Sequence, residues 1–197
     1  MLKSQDDFNI KITLSSAFES IKWFKGKIKT LINPKAVEIE ELKQKEEEIL
    51  NEENTQRFEV GKMYLFHYDP KLKTSLPYYD TFPLILMMGT IKGGFQGINL
   101  HYLPINIRMI LLSNLLDKSV YKDGELERLR ISYDILKNIT TMQMFKPCFK
   151  QYLYKQIRGG IKLIPPYDWG YAAALPFENF KKKSKQQVWK ESMDSLQ

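Results

Sequence analysis

GKMYLFHYDPKLKTSLPYYDTFPLILMMGTIKGGFQGINLHYLP, residues 61–104, decides the fold. In its first run Met63, Leu65 and His67 alternate with Tyr64, Phe66 and Tyr68, the period of two that sets successive side chains on opposite faces of a strand. Asp69-Pro70 ends that run, because Pro has no N–H for a ladder and disfavours helix in the residue before it. From Phe82 to Met88 nothing polar follows Pro83, so the second strand is expected to be buried on both faces. Gly93, Gly94 and Gly97 bracket a third run, Ile98 to Leu103. Strands this short, joined by Gly- and Pro-rich turns, predict a small, strongly bent β-barrel. The order of strand, long loop and buried strand makes it SH3-like by analogy.

On the N-terminal side, residues 1–57 read as a separate helical arm. Leu14, Phe18, Ile21, Phe24, Ile28 and Leu31 recur at steps of three and four, and Asn33-Pro34 ends that helix. A second helix, Val37 to about Asn54, has only a thin stripe of Val37, Ile39, Leu42, Ile49 and Leu50. Two such helices do not make a stable hairpin alone, so the arm is expected to dock on a partner subunit or on the barrel, or to stay flexible. On the C-terminal side, Pro104 suits the first turn of a helix running to about Asp117. Further helices are expected over Leu126–Ile139 and about Thr141–Ile157, with Pro147 starting or kinking the latter and Gly159-Gly160 ending it. Ile161 to Ile164 reads as a short strand, Pro165-Pro166 as a rigid corner, and Tyr167 to Ala174 as a turn or short helix before a basic tail. The expected fold is α+β: residues 58–197 form the barrel packed by C-terminal helices.

The 197 residues are 43% hydrophobic and include eleven Phe and eleven Tyr, enough for a real core. The longest apolar runs reach about seven residues, far short of the roughly 20 that span a bilayer. MLKSQDDFNIK has no apolar core of a secretory signal. The single cysteine, Cys148, excludes an internal disulfide and fits a reducing compartment. Between Phe145 and Phe149 it reads as a small buried hydrophobe. Net charge is +7, and its distribution is uneven. Residues 1–57 hold ten basic and eleven acidic side chains, whereas 146–190 hold ten basic against Asp168 and Glu178, a surplus of eight. Such a field attracts polyanions.

His67 and His101 fall on two expected strands that could pair, but no carboxylate or cysteine has metal-ligand spacing to either. Nothing in the spacing of Asp69, Asp80 and Asp134 requires an acid pair. Gly93-Gly94-Phe95-Gln96-Gly97 lacks the Lys-Ser/Thr and following helix of a phosphate loop and reads as a strand turn. No metal, cofactor or catalytic residue is expected; a Mg²⁺ nuclease would need clustered carboxylates. The best binding element is Lys181, Lys182, Lys183 and Lys185 followed by Trp189 and Lys190: lysines neutralise phosphates, and an aromatic can stack on exposed bases. Arg158 and Lys162 flank the Gly-Gly corner and extend the same surface.

YDPKLKTSLPYYDTFPLIL, GGFQGINLHYLP and the closing KKKSKQQVWKES resemble the conserved blocks of a virion-protein family of large contractile-tailed, T-even-like bacteriophages. It is similar to proteins described as DNA end protectors or head-completion structural proteins. The resemblance covers roughly residues 61–190, leaves the arm outside it, and departs at Gln96 and Ile98. It implies a non-enzymatic virion component that meets the packaged double-stranded DNA terminus at the head–tail junction and shields it. Its partners would be portal, neck or tail subunits, in an oligomeric setting, with the host cytoplasm as the site of assembly and no membrane. The alternative is a purely structural tail, neck or baseplate subunit whose arm and basic tail grip other virion proteins.

Overall fold

A computed structural model describes residues 36–119 and 143–194. Its elements are α1 (Ala36–Asn51), β1 (Asn54–Thr55), β2 (Met63–Tyr68), β3 (Tyr79–Asp80), β4 (Leu84–Ile91), β5 (Gly94–Asn99), α2 (Ile105–Ser119), β6 (Phe149–Leu153), β7 (Ile157–Ile164), α3 (Trp169–Ala174), β8 (Phe180–Lys181) and α4 (Lys185–Asp194). The helices expected over Leu14–Leu31 and Leu126–Ile139 lie outside the described residues.

The fold is α+β around a six-stranded antiparallel sheet of order β1-β7-β2-β4-β5-β6, with a separate ribbon of β3 and β8. The alternation in β2 sorts its side chains. Tyr64, Phe66 and Tyr68 join Ile85, Met87, Phe95 and Tyr152 in an aromatic cluster on one face. Phe58 covers that cluster, its ring 4.4 Å from Phe95 and 4.8 Å from Tyr64. Met63 and Leu65 join Leu84, Leu86 and Ile98 in the main core on the other face, with Met109 and Leu112 of α2, Ala172 and Ala173 of α3 and Val188 of α4. β4 is therefore buried on both faces, as its unbroken apolar run requires. Each such fully buried large side chain contributes about 1.5–3 kcal/mol.

β2 and β4 carry register shifts at Phe66/His67 and Met87/Gly89, which bend the sheet. β6 and β7 follow one another through the 3₁₀ turn Tyr154–Gln156, yet no ladder joins them among the described residues. The sheet is open, not a closed barrel.

Three local expectations are corrected. The third strand starts at Gly94, and Leu100–Tyr102 is a 3₁₀ turn. The two-residue turn Lys92-Gly93, with Gly93 at φ +76°, precedes it, and Gly97 lies inside the ladder because strands there touch: a Cβ on Gly97 would stand 2.5 Å from Ile85 Cγ2. The Thr141–Ile157 helix is replaced, from Gln143 onward, by the 3₁₀ turn Gln143–Cys148, β6 and the start of β7. Phe149, Tyr152 and Leu153 suit either period, and pairing with β5 wins because it sends Tyr152 into the aromatic cluster. Gly159-Gly160 consequently lies within β7 and ends no helix.

α1 rests on its own chain. Ile49 is fully buried in the main core with Leu42 against it, the Tyr171 hydroxyl donates to the Glu41 carboxylate, and Lys45 Nζ lies 3.3 Å from Asp168 Oδ1. Ile39 and Leu50 on the same helix stay exposed. No helix among the described residues is long and apolar enough to cross a membrane.

Candidate nucleic-acid interface

The basic C-terminal segment is folded onto the body by three devices. β8 pairs with β3, matching Tyr79 to Lys181 and Asp80 to Phe180. Ser184 and Gln187 then cap α4 reciprocally: Gln187 N donates to Ser184 Oγ at 3.3 Å, and Ser184 N donates to Gln187 Oε1 at 2.9 Å. Val188 of α4 is fully buried, and the half-buried Trp189 donates its indole N–H to the His101 carbonyl at 2.8 Å.

The expected site residues divide by what their charge meets. Lys185 Nζ reaches Glu178 Oε1 at 3.1 Å, Lys183 pairs with Glu191 and lies 4.7 Å over the Tyr78 ring, and Lys162 donates to the Glu52 carbonyl. Lys181 and Lys190 are exposed, and their side chains make no hydrogen bond or ion pair among the described residues. Lys182 holds φ +73°, a region where Gly or Asn is the ordinary occupant, while its ammonium donates to Thr74 O at 2.9 Å and Leu76 O at 2.6 Å. Arg158, exposed on β7, lies 3.7 Å from Asp69 Oδ2.

Those last two contacts join sites far apart in sequence. The 69–76 loop is a compact turn (Lys73 N donates to Pro70 O, Leu76 N to Leu72 O) with Arg158 at one end and Lys182 at the other. It adds the exposed Lys71 and Lys73, and exposed Lys155 stands three residues before Arg158. The hydrogen bond from Lys73 to Asp69, 2.8 Å, with Arg158 beside it, holds that carboxyl below its usual range. Sequence reasoning missed Lys71, Lys73 and Lys155; the PKLK spelling after Asp69 was the available signal.

Behind this surface lies a buried polar network. Asp80 Oδ1 accepts from Phe82 N at 3.0 Å and Asn179 N at 3.2 Å, and Oδ2 accepts from Asn99 Nδ2 at 3.1 Å and His101 Nδ1 at 2.7 Å. Burial pushes the Asp80 carboxyl up, but His101 and the surrounding donors outweigh it and hold it below the usual range. Arg108, fully buried, donates to Leu103 O, Ala173 O, His101 O and Glu178 Oε2. These groups fix β3, the Leu100–Tyr102 turn, α2 and the start of the basic segment to one another.

The two histidines are not brought together: His67 is exposed and stacked 4.3 Å from Phe82, whereas His101 is buried. No group of three or more His, Cys, Asp or Glu among the described residues could hold a metal ion. Asp134 lies outside them. Cys148 is buried, and that burial pushes its thiol up to about 12, far from a reactive thiolate.

Over residues 9–192 the sequence matches the family model described as phage T4 terminal DNA protecting protein. That span takes in most of residues 1–57 as well as the blocks after Gly61. No curated protein and no solved structure matches the chain.

Proposed function

The chain belongs to the phage T4 terminal DNA protecting protein family, and on that premise we propose that it binds the end of packaged phage DNA and shields it from exonuclease by occupancy, without turnover. The family match carries this reading. The line of exposed cations supports its location: Lys71, Lys73, Lys155, Arg158, Lys181, Lys182 and Lys190 would meet phosphates directly. Lys162, Lys183, Lys185 and Trp189, each engaged inside the molecule, would hold those groups in place. The order β7-β2-β4-β5-β6, with a 3₁₀ turn from β6 to β7, supports viewing the sheet as an opened SH3-like barrel. In the particle the protein would sit at the head–tail junction beside portal, neck or tail subunits, after assembly in the host cytoplasm.

The test is exonuclease digestion of linear duplex with the purified chain across salt concentrations. Protection should weaken with salt and with Lys71→Glu, Lys73→Glu, Lys181→Glu and Lys182→Glu combined. Undiminished protection by that variant would remove the role given to these lysines.

A further inference from the structure

Along the first half of β7 a cleft of about 630 Å³ opens between β1, β7 and the Tyr154–Gln156 turn. That volume is in the roughly 300–1,000 Å³ range of small-ligand sites and leaves no room for a duplex. Its lining, which includes Asn54, Gln56, Phe58, Tyr154, Gly159 and Ile161, carries no charged side chain. Tyr154 is 41% exposed although its ring is backed by aromatics: Phe58 and Phe95 each lie 5.7 Å away, and those two stack on one another at 4.4 Å. A large aromatic ring, supported from behind and open in front, is a stacking platform.

The rim supplies the complementary chemistry. Arg57, Lys155 and Arg158 are exposed and each is the sequence neighbour of a lining residue, while the side-chain amides of Asn54 and Gln56 offer both donors and acceptors, the pairing that base edges present. Gly159, at φ +67° with nothing within 4 Å of where a Cβ would stand, leaves the mouth clear beside Tyr154.

We propose that this cleft takes an unpaired base from the terminus of a DNA strand, stacked on Tyr154 with its phosphate toward Lys155 and Arg158. The proposal rests on the DNA-end reading above and deepens it by giving the end, as opposed to the duplex, something to bind. A base inside a duplex is stacked on both sides, whereas at an end it is freed by breaking one stacking step, which one aromatic stack offsets.

The probe is a set of three hairpin duplexes with one open end: blunt, with a two-nucleotide unpaired overhang, and with the same overhang made abasic. Affinity is read by fluorescence anisotropy at fixed salt. Wild-type protein should bind the base-bearing overhang about tenfold more tightly than the abasic one. Tyr154→Ala should abolish that preference and leave blunt-duplex affinity unchanged, and Tyr154→Phe should keep it. Equal affinity of wild type for abasic and base-bearing overhangs overturns the proposal even if no variant folds, and so does a preference that survives Tyr154→Ala. In both cases salt-dependent binding to the blunt end would leave the end-protection reading standing. Absence of binding to all three probes would sink both.

Discussion

Replacing Arg108 with Met would strike the joint that holds the basic segment to the sheet. The guanidinium donates to Leu103 O at 2.7 Å, Ala173 O at 3.2 Å and His101 O at 3.3 Å, and reaches Glu178 Oε2 at 3.3 Å from both terminal nitrogens. Glu178 itself is 2% exposed, and without Arg108 it keeps Lys185 at 3.1 Å. Breaking a buried ion pair from one side costs about 3–5 kcal/mol. Leu103 O and Ala173 O lose this donor and add about 1 kcal/mol each, whereas His101 O keeps the Trp189 indole N–H. A loss of roughly 5–7 kcal/mol rivals the whole stability of an ordinary domain, roughly 5–15 kcal/mol. Urea unfolding followed by tryptophan fluorescence suits the test, because the Trp189 ring lies 5.4 Å from Arg108 Cζ. Arg108→Met should unfold at far lower urea or be unfolded in buffer. Arg108→Met with Glu178→Gln should recover about 2 kcal/mol, because the stranded charge is gone. A single-variant loss under about 2 kcal/mol, or no recovery in the double variant, would refute the reasoning.

Acid should weaken the same joint. Burial raises the Glu178 carboxyl, but Arg108 above all outweighs it and leaves it below the usual range, as His101 does for Asp80. Folded values below the unfolded ones mean stability present above about pH 4.5 and lost as pH falls through the folded values, so the urea midpoint should drop below about pH 4. Asp80→Asn, which turns an acceptor of four hydrogen bonds into a group with one acceptor oxygen, should cost about 2–4 kcal/mol and remove part of that acid dependence. Gly97→Ala should cost about 1–3 kcal/mol in the same assay, because its Cβ meets Leu86 O at 2.6 Å as well as Ile85. Cys148 should resist a thiol reagent in buffer and react in denaturant; fast reaction of the folded chain would contradict its burial. With about seven phosphates neutralised, duplex affinity should fall about 6,000-fold between 50 and 200 mM salt, and each lysine removed should lower the log–log slope by about 0.9.

The strand core was legible because its signals were local. Alternation in Met63–Tyr68 and the unbroken run into Met88 each have one physical solution once the chain must bury them. Phe149–Leu153 was not legible, since Phe149, Tyr152 and Leu153 satisfy a helix as well as a strand, and only the edge of β5 decides between them. The charge surplus singled out Lys181–Lys190, but spacing alone could not tell exposed Lys181 and Lys190 from Lys185, which pairs with Glu178. Nor could it place Arg158 near Lys182, because the 69–76 loop that links them is a tertiary contact. Asp80, Asn99, His101 and Arg108 are scattered polar residues in sequence; as a network they exist only when β3, β5 and α2 meet.

The central claim is that this chain grips an open DNA terminus and leaves it chemically intact. Competition between linear and covalently closed circular duplex of equal length, read as survival of an end-labelled linear probe under exonuclease, tests it most directly. The account predicts that unlabelled linear DNA displaces the protection in proportion to its number of ends, that circular DNA does so weakly, and that the probe is recovered uncut. Equal displacement by the circle, base pair for base pair, or a probe shortened by the protein alone, would contradict it.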